Sequence, residues 1–386
     1  MNRSPFAVAL LIPVGLAVVL ATAPVLSTPR FRTDDDFGVF WVSVRRLLAG
    51  ENPYDPRALN RELPRIGHRV VEEASPIMRH MPFVFTPLIP LGLLPYPIAR
   101  ALWFHLSLAA TLIGCIVLWR RYGGPPRSRG APWVLGIAFL PTLLMLQKGQ
   151  MGWLALIGGI GWAYFAERRS WIGAGIGLWL MLFKPHLVYL ALLAILIWSA
   201  QRRAWTAVAV GGAMAAMGTA LAAAFRPSIL LDYAQAIYES SPFAWATPTL
   251  GSWLRWLLDV DAIGLQFVPP VLGLAWLGAC WRTFDRMRKG KEWESFPDLF
   301  AVSSLTALYG WSFDWVTWLW PVIQTWARLP DVQSPWARWG LIVAYVGLQG
   351  FALAIHQHGG GDFWLAGLPW GLMLWRWLAR RATLKS

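Results

Sequence analysis

Charge is scarce in this chain, and so is cysteine. Only 14% of the 386 residues are charged, against roughly 25% in soluble domains; too little polar surface is on offer for water to be the natural solvent. The two cysteines, Cys115 and Cys280, lie inside apolar runs and form neither a disulfide framework nor a metal-binding pattern. There is no P-loop and no Gly-rich dinucleotide fingerprint, which argues against a nucleotide-sugar donor held by such a loop. No internal repeat, low-complexity tract or soluble domain breaks the pattern.

What is there is apolar. Hydrophobic residues make up 56% of the chain, and 27 residues are Trp. Runs of about 17–25 apolar residues suit helices that cross the hydrocarbon layer. The first, residues 5–26, is longer than the 7–15-residue core of a signal peptide and reads as an uncleaved span. Further spans are expected at 97–119, 131–147, 150–166, 170–184, 187–200, 204–225, 263–281, 297–313, 315–327, 339–356 and 363–379. The expected fold is therefore all-α: a polytopic membrane protein with about twelve transmembrane helices (ten to twelve), one domain over 1–386. Two long outer segments, 27–96 and 226–262, interrupt it.

The net charge of +14 fits topology better than nucleic-acid binding, because Lys and Arg collect in cytoplasmic loops. With the N-terminus inside, the inner connections hold Arg120, Arg121, Arg127, Arg129, Arg168, Arg169, Arg202, Arg203, Arg328 and Arg338. The cluster 282–291, Arg3 and the C-terminal Arg376, Arg380, Arg381 and Lys385 join them. Both termini are expected in the cytoplasm of a multi-pass cell-membrane protein.

One stretch departs from the apolar pattern. Residues 34–56 read DDDFGVFWVSVRRLLAGENPYDP. Phe37, Phe40, Trp41, Val44, Leu47 and Leu48 recur at helical spacing, and Gly50 followed by Pro53 is a stop signal. The spacing predicts a short amphipathic helix lying in the outer interface. Segment 82–95, with its four prolines, reads as a second interfacial piece. Asp34, Asp35 and Asp36 at the helix start can be explained by capping and the helix dipole. An acid there can also serve as a general base, with cations at outer helix ends (Lys148, Lys184, Arg226, Arg255) facing an anionic leaving group. His80, His356 and His358 show no third partner for a metal, so no metal and no cofactor are expected.

These residues resemble glycosyltransferase family 87, membrane enzymes of the GT-C fold that use polyprenyl-phosphate sugars. Its first outer loop is matched by Asp36-Phe37-Gly38-Val39-Phe40, then Leu47-Leu48-Ala49-Gly50, then Pro53-Tyr54-Asp55. Phe40 replaces the family's usual Tyr. Phe85-Thr86-Pro87 is a weak match to a Tyr-Pro-Pro element. Gly149-Gln150, Lys184-Pro185, Ser252-Trp253-Leu254-Arg255 and Trp311-Ser312-Phe313-Asp314-Trp315 match later outer turns in order. Where some relatives have His after the Asp, this chain has Trp315.

The resemblance implies an inverting transferase. It moves a hexose or pentose, mannose-like as the first choice, from a polyprenyl-phosphate-linked sugar to a hydroxyl of a glycolipid or glycan acceptor, outside the membrane. It selects Asp36 as catalytic base and Lys184, Arg255 and Arg226 as donor-phosphate ligands. It adds Asp35, Tyr54, Gln150, His186 and Asp314 as substrate-binding candidates. The alternatives are a transporter or flippase of lipid-linked sugars, or a non-catalytic partner in envelope-polymer assembly. A transporter would show mid-membrane ionisable residues and repeated halves.

Overall fold

A computed structural model describes residues 5–26, 28, 35–68, 77–240, 246–280, 292–358 and 362–384. Asp34 and the basic cluster 282–291 lie outside the described residues, as do Arg3 and Lys385. Among the described residues every regular element is an α- or 3-10 helix.

Each expected span contains helix, but their lengths differ from the expectation. Three helices are long and apolar enough to cross a bilayer: Tyr96–Arg121, Thr206–Phe225 and Pro335–Gln357. A fourth crossing results if Ala131–Ala138 and Leu140–Lys148, bent by 60°, count as one; Phe139 between them is extended. Other apolar helices are shorter, such as Trp171–Met181 and Tyr189–Arg202. At 1.5 Å per residue an 11-residue helix covers only about half of a 30 Å hydrocarbon layer. Twelve full-length spans are thus not what the described residues show. Run length is not helix length: the expected 170–184 gives the 11-residue Trp171–Met181, whereas 339–356 gives the 23-residue Pro335–Gln357.

The chain divides into two compact units. The smaller comprises Met1–Ala109, Leu146–Gln150 and Ala215–Ser240; the larger comprises Ala110–Met145, Met151–Met214 and Ser241–Ser386.

In the smaller unit the amphipathic helix forms as its periodicity predicts, over Asp36–Leu48, with Phe37, Phe40, Val44 and Leu47 buried. It ends at Ala49, and Gly50 follows at φ +75°. The Pro-rich segment is a 3-10 helix, Pro82–Leu88, running into a single turn, Ile89–Gly92. It lies along the amphipathic helix: the Trp41 indole donates to the Leu94 carbonyl at 3.1 Å. The start of the 226–262 segment is helical as well, over Ile229–Glu239.

The larger unit is held by close helix approach and by aromatic packing. A Cβ at Gly158 would sit 2.6 Å from the Gly177 carbonyl oxygen, and one at Gly177 would sit 2.5 Å from the Trp162 nitrogen. Only glycine lets Gly152–Glu167 and Trp171–Met181 touch backbone to backbone. Trp162 stacks on Phe296 at 5.0 Å, and Trp320 packs against Phe296 and Phe300. The Trp320 indole donates to the Tyr122 hydroxyl, which donates in turn to the Trp293 carbonyl. Such ring pairs each add about 0.5–1.5 kcal/mol beyond their buried area, so these tryptophans are packing residues. By contrast, Trp336 and Trp339 at the start of Pro335–Gln357 are exposed, as anchors at a lipid–water boundary are.

The helix expected at 297–313 begins earlier, covering Glu292–Leu305. It carries charge into the unit: Asp298 pairs with Arg376 at 2.5 Å and with Arg380 at 3.0 Å, and Glu294 with Arg328 at 2.7 Å.

Candidate active site

In the smaller unit the two described acids of the triplet have different surroundings. Asp35 is the N-cap of the Asp36–Leu48 helix. Its Oδ1 accepts from the Phe37 N–H at 2.8 Å, so capping does occur. Its Oδ2 accepts from the Tyr96 hydroxyl at 2.5 Å and from Arg100 Nε at 2.8 Å. The Asp35 and Arg100 side chains are both fully buried. Burial pushes the Asp35 carboxyl above the usual carboxylate range, against the pull of the Arg100 charge and of these hydrogen bonds. Asp35, a substrate-binding candidate by the resemblance, is enclosed here, with both oxygens engaged by the protein.

Arg100 reaches further. Its Nη2 donates to the Leu146 and Gln147 carbonyls, each at 2.8 Å. Those carbonyls belong to the last turn of Leu140–Lys148, which would otherwise leave its acceptors without partners. Beyond it, the Gly149 carbonyl accepts from the Trp103 indole at 2.7 Å, and Trp103 stacks on Phe37. Gly149 has φ +67°, and a Cβ there would lie 2.6 Å from Phe37 Cβ. The turn therefore needs glycine twice, for its backbone conformation and for its closeness to the helix start.

That turn delivers Gln150. Its Nε2 donates to Asp36 Oδ2 at 2.7 Å. Asp36 is half-buried, unlike its enclosed neighbour. The result is a carboxylate in the first turn of a helix, with one oxygen steered by an amide and the helix anchored from below by an ion pair.

Gly149→Ala is expected to lower the Tm, because Ala is strained at the positive φ and its Cβ would clash with Phe37; strain of this kind costs about 1–3 kcal/mol. Transfer activity should fall with it as Gln150 shifts. Wild-type Tm and activity would show that the turn has no need of glycine.

The remaining smaller-unit candidates make contacts within the protein. Tyr54 is buried against Phe85 and Tyr233, its hydroxyl donating to the His80 carbonyl at 2.9 Å. Burial pushes its phenol well up. Asp55 beside it caps Pro56–Glu62. Arg226 makes a two-point pair with Asp232, at 2.8 and 3.3 Å, which occupies its guanidinium.

In the larger unit, Lys184 and Asp314 come together. Pro185 opens a 3-10 turn, Pro185–Leu187, with Lys184 at its N-cap. Lys184 Nζ lies 3.1 Å from Asp314 Oδ1, and the two are buried. Asp314 Oδ2 accepts from the Trp311 N–H at 3.0 Å, closing the turn that starts Ser312–Trp318. His186 stacks on Tyr309 with ring centroids 4.1 Å apart. Arg255 donates to the Val260 carbonyl just past its own helix, Leu250–Leu258. Ser252 joins a buried hydroxyl group with Thr247 and Thr249. The Ser-x-x-Arg match thus supports local capping and loop closure.

Sequence reasoning missed Arg100 and Tyr96. Arg100 was absorbed into the apolar run at 97–119. A lone arginine inside an otherwise apolar helix is costly, and that cost was the available pointer. Among the described residues no group of three or more His, Cys, Asp or Glu could hold a metal ion.

No curated protein and no solved structure matches the chain. Residues 80–308, more than half of it, match the sequence profile of glycosyltransferase family 87. That span contains Gly149-Gln150, Lys184-Pro185 and Ser252–Arg255. With apolar helices long enough to cross a membrane and an aromatic, exposed surface, the chain is a membrane glycosyltransferase belonging to glycosyltransferase family 87.

Proposed function

We propose that the protein transfers a hexose or pentose, mannose-like as the first choice, from a polyprenyl-phosphate donor to a glycolipid or glycan hydroxyl outside the membrane, with inversion. The observation that carries this reading is the steered Asp36 carboxylate beside an enclosed Asp35. Asp36 takes the acceptor's O–H proton as that oxygen bonds to the anomeric carbon. The bond from the anomeric carbon to the phosphate oxygen breaks, and its electron pair leaves with the polyprenyl phosphate. Attack from the face opposite the phosphate inverts the configuration. The Gln150 amide holds Asp36 in one rotamer, so little reorganisation is needed when the proton moves. No cofactor enters, because the donor carries its own leaving group.

Negative charge grows on the departing phosphate, so a cation near it stabilises the transition state more than the ground state. Lys184 is the residue we assign to this task, with Asp314 as the group that positions it. Arg255 and Arg226 are further assignments; each, like Lys184, already meets a protein oxygen. The test is transfer in proteoliposomes, screening polyprenyl-phosphate mannose, arabinose, glucose and galactosamine against lipid extracts. Turnover with none of these donors would overturn the reading.

Lys184→Ala is expected to lower both the Tm and transfer, since it leaves Asp314 charged and buried. The double variant Lys184→Ala with Asp314→Asn should regain stability but not transfer. Recovery of both would leave Lys184 a purely structural role. Lys184→Arg should keep part of the activity, because charge-assisted bonds to phosphate survive the change.

For topology, in a Cys280→Ser background, Arg57→Cys should react with an impermeant thiol reagent in intact cells and Ser128→Cys should not. Both replaced positions are exposed. The reverse pattern would put the first loop inside.

A further inference from the structure

The charged network of the larger unit borders a cleft with no part in the reading above. Its volume is about 60 Å³, and Gln324, Thr325, Arg328, Leu329, Ala379 and Arg380 are among the residues that line it. One buried group there is left without a partner. Gln324 is 2% exposed. Its Oε1 accepts from Arg376 Nη2 at 2.6 Å. Arginine can only donate, so the oxygen must face Arg376 and the amide nitrogen must point away. That nitrogen has no hydrogen-bond partner. A buried donor of this kind is costly unless something accepts from it.

The surrounding charge says what kind of acceptor fits. Arg328, Arg376 and Arg380 face Glu294 and Asp298. Arg376 and Arg380 share Asp298, and Arg328 pairs with Glu294. Three cations against two carboxylates leave one positive charge over. Arg328 and Arg380 are 40% and 48% exposed, so each can turn a free N–H toward a ligand. Leu329 and Ala379 supply an apolar wall beside these donors. A small oxyanion accepts from several donors at once and takes up the surplus charge.

We propose that this cleft binds a phosphate group, with the Gln324 amide and the Arg328 and Arg380 guanidinium groups as its donors. The source is either a lipid headgroup, whose chain would run along the apolar wall, or a free phosphate.

The test uses the full-length protein in a neutral detergent, with the Tm as readout. Dihexanoyl phosphatidic acid, dihexanoylglycerol and inorganic phosphate are titrated separately. A ligand that binds only the folded state raises the Tm with concentration. Phosphatidic acid is expected to raise it, and dihexanoylglycerol is not. A rise with inorganic phosphate as well assigns the site to the anion alone; a rise with phosphatidic acid only assigns it to a lipid headgroup. Arg328→Gln and Arg380→Gln change exposed side chains and are expected to fold. Each should raise the half-saturating concentration on the order of ten-fold, by removing a charge-assisted bond. No shift with either phosphate compound would overturn the proposal. So would an equal shift with dihexanoylglycerol, or a half-saturating concentration unchanged in both variants.

Discussion

Asp36→Asn is expected to lose about 10²–10⁴-fold in transfer rate, the usual worth of general-base catalysis, while its Tm stays near wild type. Asn keeps the size of Asp and can still accept the Gln150 hydrogen bond, which is 2.7 Å long in the wild type. It is also nearly as good as Asp near a helix start, so the Asp36–Leu48 helix survives. What Asn cannot do is take the acceptor's proton. Gln150→Ala should lose less, on the order of ten- to a hundred-fold, because it removes only the bond that aims the base. Turnover measured in proteoliposomes with a saturating donor separates the two. An Asp36→Asn enzyme with wild-type turnover would return Asp36 to a merely structural role at the helix start.

Asp35 is expected to behave in the opposite way. Capping alone predicts that Asp35→Asn is harmless, since the Phe37 N–H still finds an acceptor. The structure revises that expectation. Arg100, fully buried, faces the Asp35 carboxylate at 2.8 Å, and an amide cannot neutralise it. Removing one partner of a buried ion pair costs about 3–5 kcal/mol, because the other charge is left uncompensated. Asp35→Asn and Arg100→Met should therefore each lower the Tm sharply. The double variant Asp35→Leu with Arg100→Met removes both charges and should recover much of the loss, as apolar replacements of buried pairs often do. Its transfer activity should stay low, because Arg100 also holds the Leu146 and Gln147 carbonyls that lead into the Gly149-Gln150 turn. The loss of stability would then part from the loss of activity. If Asp35→Asn kept the wild-type Tm, the pair would carry no stability and the difference between the two acids would vanish.

Adjacent carboxylates thus divide two tasks. One faces inward and fastens the helix start to the neighbouring turn. The other is half-buried and is steered from that same turn. Gly149 is the hinge of the arrangement: its φ of +67° lets Gln150 reach Asp36, while its carbonyl is held by Trp103.

The amino-acid pattern by itself determined the all-helical class, the membrane setting, the amphipathic helix at 36–48 with its stop at Gly50, and the broken segment before residue 96. Each of these depends on composition or on residues close in sequence: long apolar runs, apolar spacing, a glycine free to take a positive φ, prolines that cannot donate. The order of short motifs also pointed to the family that residues 80–308 match. The tertiary structure alone decided what the acids meet. In the sequence Asp35 and Asp36 are equivalent, both flanking an apolar helix. They differ because Arg100, 65 residues away, meets one, and Gln150, 114 residues away, meets the other. The same holds for Lys184, whose pairing with Asp314 depends on how the larger unit folds back on itself, and for helix lengths, which depart from the apolar runs in both directions. Local pattern reports the conformation a segment prefers. An ion pair between distant residues depends on the path of the whole chain, where burial makes an uncompensated charge too costly to keep.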